Sequence, residues 1–223
     1  MKTRRRRQTE LLLGVGAFYV ALWLLWWTPV VFPLRIFVVL LHEVSHAIAA
    51  VATGGSVERI VLHANEGGAT YVRGGSPFIM LSAGYLGSLL WGLALIEVAG
   101  ARAAIARRVL MALAVMVLVV AVLYMRNIFG FMFSVAVGGA LLLAARRLRP
   151  RGVAVMLLVV GLTSALYALL DIRSDILARP HLRSDARMLA ELTGVPTLVW
   201  GGLWTLLGLV VCWYAVKRWL RRA

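Results

Sequence analysis

Seven apolar stretches alternate with short polar or charged breaks along this chain, at roughly residues 11–32, 34–53, 77–99, 107–125, 128–145, 153–171 and 197–216. A helix needs about 20 apolar residues to cross a hydrocarbon core about 30 Å thick. The pattern therefore predicts an all-α polytopic membrane protein, a bundle of about six to seven transmembrane helices. Pro33 separates the first two stretches, and Arg126 with Asn127 separates the fourth and fifth.

Two connections are long enough to carry structure of their own. Residues 54–75, GGSVERIVLHANEGGATYVRGG, hold two β-leaning runs around the turn-like ANEGG, bounded by glycine pairs. They predict a small β-hairpin. Residues 172–196 are polar, and SDARMLAELTG within them has a capping Ser184, an acid in its first turn and a terminal Gly194. That is the signature of a short helix. The expected organisation is a single integral membrane domain over 1–223, with 54–75 as a hairpin insertion and 172–196 as a polar loop carrying a short helix.

Composition agrees with the pattern: 62% of the 223 residues are hydrophobic, and the mean hydropathy is +0.89. Soluble domains are about half apolar. The net charge of +15 comes from 24 Lys and Arg against 9 Asp and Glu, and the basic residues cluster beside the apolar stretches, as in KTRRRR, RRLRPR and KRWLRR. Clusters in those places follow membrane topology and anionic headgroups, so no nucleic-acid partner is expected. Cys212 is the sole cysteine, which excludes an internal disulfide and a cysteine metal cluster. Residues 11–32 are too long for a cleaved signal and read as a retained anchor. The clusters at 102–108, 146–151 and 217–222 are each two stretches apart and so share one side, cytoplasmic by the positive-inside bias. The N-terminal arginines want the same side across three stretches. The second stretch, which carries Arg35, His42, Glu43 and His46, is then the first candidate for an incomplete crossing.

Those polar residues carry the chemistry. His42-Glu43-Val44-Ser45-His46 matches H-E-x-x-H. On a helix, residues four apart share a face, so both imidazoles can reach one ion. Zinc suits imidazole nitrogen and in a catalytic site keeps one position for water. Glu43, beside the first ligand, is placed to act as general base on that water. A hydrogen-bonded histidine pair without metal is the plainer alternative. It carries less weight inside an apolar stretch, where each ionisable group is costly and marks function.

Zinc needs a third protein ligand. Most other acids fall at ends or in the predicted hairpin: Glu10 precedes the first stretch, Glu58 lies in a strand, and His63 and Glu66 fit ordinary turn polarity. Asp171 closes the apolar run MLLVVGLTSALYALLD, from which its carboxylate can turn into the bundle. It is the expected third metal ligand, with Asp175, one turn on, in reserve. Ala83, Gly84, Gly87 and Ser88 form a small-residue stripe suited to close helix packing in lipid.

HEVSHAIAAVATGG, the glycine-bounded hairpin region and SAGYLGSLLWG together resemble the site-2 protease-type intramembrane zinc metallopeptidases, in particular their small branch without extra domains. The resemblance implies His42 and His46 as zinc ligands and Glu43 as catalytic base. It also implies a third ligand from an aspartate in an LDG motif on a later helix. This chain has LLDIRSD there instead, with Asp171 at the aspartate. The expected function is that of an intramembrane zinc endopeptidase of the cell membrane, acting on a membrane-embedded protein substrate in contact with the lipid bilayer. The rival readings are a metal or solute transporter and a membrane-protein binder that does not cleave. Glu43 separates them, since only hydrolysis calls for a base beside the first ligand.

Overall fold

The computed structural model describes residues 2–178 and 184–222. Among them are eight α-helices: α1 (Lys2–Leu25), α2 (Phe32–Ala52), α3 (Pro77–Ala99), α4 (Ala103–Leu123), α5 (Ile128–Arg147), α6 (Pro150–Arg173), α7 (Asp185–Thr193) and α8 (Thr197–Arg222). A π-helical turn, Ser174–Ala178, extends α6, and a two-stranded antiparallel hairpin, β1 (Ser56–Leu62) and β2 (Gly68–Arg73), follows α2. Every α-helix except α7 is long and apolar enough to cross a bilayer. The protein is an integral multi-pass membrane protein.

Prolines start three of these helices. Pro33, Pro77 and Pro150 occupy first-turn positions of α2, α3 and α6, where the missing N–H would have no helical partner in any case. The predicted spans are recovered with shifted ends. The helix α4 begins at Ala103, so Arg107 and Arg108 lie inside it rather than marking its start. Arg107 reaches the far end of α5, donating to the carbonyls of Ala145 and, at 2.9 Å, Leu148. It thereby satisfies last-turn acceptors that α5 cannot satisfy itself.

The bundle is built around α2. Its apolar residues Ile36, Leu40, Leu41 and Val44 share one continuous core with Leu110, Ala114 and Val117 of α4, Leu157 of α6 and Ile60 and Leu62 of β1. In α2, 78% of the spanning segment is buried, against 6% in α1. Arg35, His42 and Glu43 are buried with it. Their polarity is thus shielded from lipid by protein, as intramembrane charges require. Arg35 pairs with Glu66 at the hairpin turn (2.5 Å) and lies over the rings of Trp26, Trp27 and Phe32.

A third backbone segment completes the hairpin. Ile60 N donates to Tyr124 O (2.8 Å), and Arg126 N donates to Ile60 O (3.1 Å). The Asn127 side chain brackets Leu62, accepting from its N–H (3.2 Å) and donating to its carbonyl (2.5 Å). The polar break between α4 and α5 therefore covers the outer edge of β1, and β2 keeps the remaining edge. Glu66, in the turn, has φ +66°, an uncommon conformation for a residue other than glycine.

Candidate metal centre

His42 and His46 sit one turn apart on α2, ring centroids 4.8 Å apart, and both direct Nε2 at the same carboxylate oxygen. That oxygen is Asp185 Oδ2, from the first residue of α7, 3.1 Å from each Nε2. Two imidazole nitrogens and one carboxylate oxygen, all within 4.8 Å of one another, form a group able to hold a metal ion. Tetrahedral coordination with bonds of about 2.0–2.2 Å sets donor atoms about 3.3 Å apart, which the two 3.1 Å contacts of Asp185 fit. Three protein donors also leave a position for water, as in catalytic zinc sites.

The other ring nitrogens fix each imidazole. The Met80 carbonyl can only accept, so His46 Nδ1 donates to it (2.7 Å) and Nε2 is left to bind metal. Ser88 Oγ donates to the Gly84 carbonyl (2.9 Å) and is therefore an acceptor toward His42 Nδ1, 3.4 Å away. Asp171 Oδ2 lies 3.6 Å from that same Nδ1. The expected third ligand thus stands behind His42, on the face opposite the Asp185 contact, and belongs to no group with both Nε2 atoms. Asp175, the reserve, accepts from the Tyr85 hydroxyl (2.7 Å) and is not part of that group either. His63 is exposed, and His181 lies outside the described residues.

Asp185 is the site residue that the sequence reading passed over. Its position in the first turn of a capped helix was visible, but nothing local says that this helix folds back over α2. Burial alone would push its carboxyl up. The charge on His46, hydrogen bonds from both histidines and the charge on His42 outweigh burial and hold it below the usual carboxylate range. The first turn of α7 also favours an anion through the helix dipole.

Glu43 is buried and gripped by the hairpin. Thr70 Oγ1 of β2 lies 2.7 Å from Glu43 Oε2 and 3.0 Å from the Glu43 carbonyl, so its hydroxyl can donate to either. Gly68 makes the contact possible: a Cβ there would fall 2.5 Å from Glu43 Oε1. Gly84 does the same for the metal group. A Cβ on it would collide with His42 Nε2 and come 2.6 Å from Asp185 Oδ2. The small-residue stripe of α3, expected as helix packing alone, therefore also makes room for the ligands. A cleft of about 770 Å³ opens onto these groups, lined by His42, Glu43, His46, Thr70, Asp171 and Asp185 among others.

A bundle of membrane-spanning helices holding a His-His-Asp group, with the glutamate of H-E-x-x-H beside it, fits a metallopeptidase. Residues 15–215 match the family described as Peptidase M50B-like, and the chain belongs to that family, in its site-2 protease-like branch. No curated protein and no solved structure matches the chain.

Proposed function

We propose that the protein is an intramembrane zinc endopeptidase, hydrolysing peptide bonds in or near membrane segments of other proteins. The observation that carries this reading is the convergence of both Nε2 atoms on Asp185 Oδ2, with Glu43 clamped alongside in a cleft within the bundle. His42, His46 and Asp185 would hold the zinc ion. Bound there, zinc would polarise the scissile carbonyl and lower the pKa of a bound water towards about 7.

The remaining steps belong to the chain itself. Thr70 engages Glu43 Oε2, which leaves Oε1 to accept the proton of the attacking water. Glu43 then returns that proton to the leaving amine. A helical substrate must first unwind, because its carbonyls are otherwise tied up in helix bonds. The free edge of β2, at the cleft, offers main-chain partners to such an extended segment. The partners are accordingly a membrane-embedded protein and the surrounding lipid of the cell membrane. A base held this firmly beside the metal group favours hydrolysis over metal or solute transport.

The test is zinc content and cleavage in wild type and Glu43→Gln, using fluorogenic single-span peptides reconstituted in vesicles. Zinc at one per chain in both, with cleavage only in wild type, supports the reading. Wild type without zinc contradicts it.

A further inference from the structure

Tyr85 of α3 is fully buried, and three contacts converge on it. Its ring stands edge-on to His42, with centroids 5.7 Å apart and planes at 82°. Its hydroxyl donates to Asp175 Oδ2 in the π-helical turn (2.7 Å). The Tyr85 hydroxyl oxygen in turn accepts from the backbone N–H of Ala186 (3.3 Å). Ala186 follows Asp185 in the first turn of α7, where helix N–H groups have no partner in their own helix. Ser184 Oγ accepts from Arg187 N (3.3 Å), and Tyr85 takes up the neighbouring N–H from across the bundle.

We propose that the Tyr85 hydroxyl and the Asp175 carboxylate form a brace that seats α7 and so places Asp185 on the metal. They are positioning residues: neither touches the ion. The proposal rests on the reading of His42, His46 and Asp185 as metal ligands. It assigns a task to the π-helical turn as well, since that turn carries Asp175 to Tyr85; such turns recur at functional sites. Apolar packing is the competing explanation for how α7 is held. Ala186 and Leu189 are buried against Tyr85, Ile172 and Trp204. Tyr85→Phe keeps all of that packing and removes only the hydroxyl, so it separates the two.

The experiment uses the full chain in detergent micelles and reads two quantities. One is amide exchange of peptides covering α7 with metal removed by chelator; the other is the zinc dissociation constant. The brace predicts that Tyr85→Phe and Asp175→Ala each speed exchange at Ala186 on the order of tenfold, with α4 and α5 unchanged. Zinc affinity should fall about 10–100-fold, the range seen when the partner of a metal ligand is lost. Should Tyr85→Phe fail to fold, Asp175→Ala removes the acceptor of the Tyr85 hydroxyl and carries the same test. Wild-type exchange at α7, or faster exchange with unaltered zinc affinity, overturns the brace. If wild type binds no zinc, the peptidase reading falls, and the exchange measurement alone decides whether Tyr85 seats α7.

Discussion

The two halves of the candidate metal centre are built differently. One half is α2 with the hairpin pressed on it: His42, Glu43 and His46 lie within five residues of one buried helix, and β2 holds the glutamate. The other half comes from α6, the π-helical turn and α7, whose Asp171, Asp175 and Asp185 are brought together from three separate elements. In the first half, helical periodicity alone puts the groups on one face. In the second, the Ser184 cap, the Tyr85 hydrogen bonds and apolar contacts set Asp185, of the three aspartates, against both Nε2 atoms. A site can thus be rigid on one side by covalent proximity and on the other only by tertiary fit.

Changes on each side should expose that difference. Outside the His-His-Asp group itself, the largest effect is expected where the first half is anchored. Glu66→Asn keeps a residue tolerant of the positive φ but withdraws the carboxylate from buried Arg35, leaving that charge unpaired. Stability should fall by about 3 kcal/mol, the cost of breaking a buried pair, read as a shift in denaturant midpoint in micelles. Unchanged stability would mean that the aromatic rings over Arg35 suffice.

Next comes Gly84→Ala, which forces a methyl between His42 and Asp185. Overpacking costs about 1–3 kcal/mol, here borne by two ligands. Zinc affinity should drop on the order of thirtyfold, with little change in the fold of the metal-free protein. Thr70→Val is smaller. It frees Glu43 without touching a ligand, so cleavage should slow about tenfold at full zinc content, and Thr70→Ser should restore it. The smallest effect is expected at an exposed ion pair on α7. Arg187 and Glu191 form a surface pair there (3.2 Å), and Arg187→Ala should cost under about 1 kcal/mol and leave zinc binding intact.

The same contrast explains what could be read from the sequence. The spans were legible because lipid demands long apolar runs and prolines mark their starts. The hairpin and the short helix were legible from glycine pairs, a capping serine and a terminal glycine. Gly194 indeed takes φ +72° at the end of α7. His42, Glu43 and His46 followed from spacing on one helix.

Asp185 did not follow, because its approach depends on where α7 docks against α2, and nothing in the local pattern fixes that docking. Asp171 was attractive for a sound reason: it turns into the bundle and reaches His42, though at Nδ1 rather than Nε2. Gly68 and Thr70 were equally hidden. Turn glycines and strand threonines are ordinary in a hairpin until the strand is seen against Glu43.

The central claim is that Asp185 completes the metal group while Asp171 supports it from behind His42. Zinc dissociation constants for Asp185→Asn and Asp171→Asn, measured side by side in the full chain, test it most directly. Asp185→Asn should lose affinity on the order of a thousandfold or more, against about 10–100-fold for Asp171→Asn, as for an outlying partner of a ligand. The reverse order, with Asp171→Asn abolishing binding and Asp185→Asn nearly silent, would contradict it.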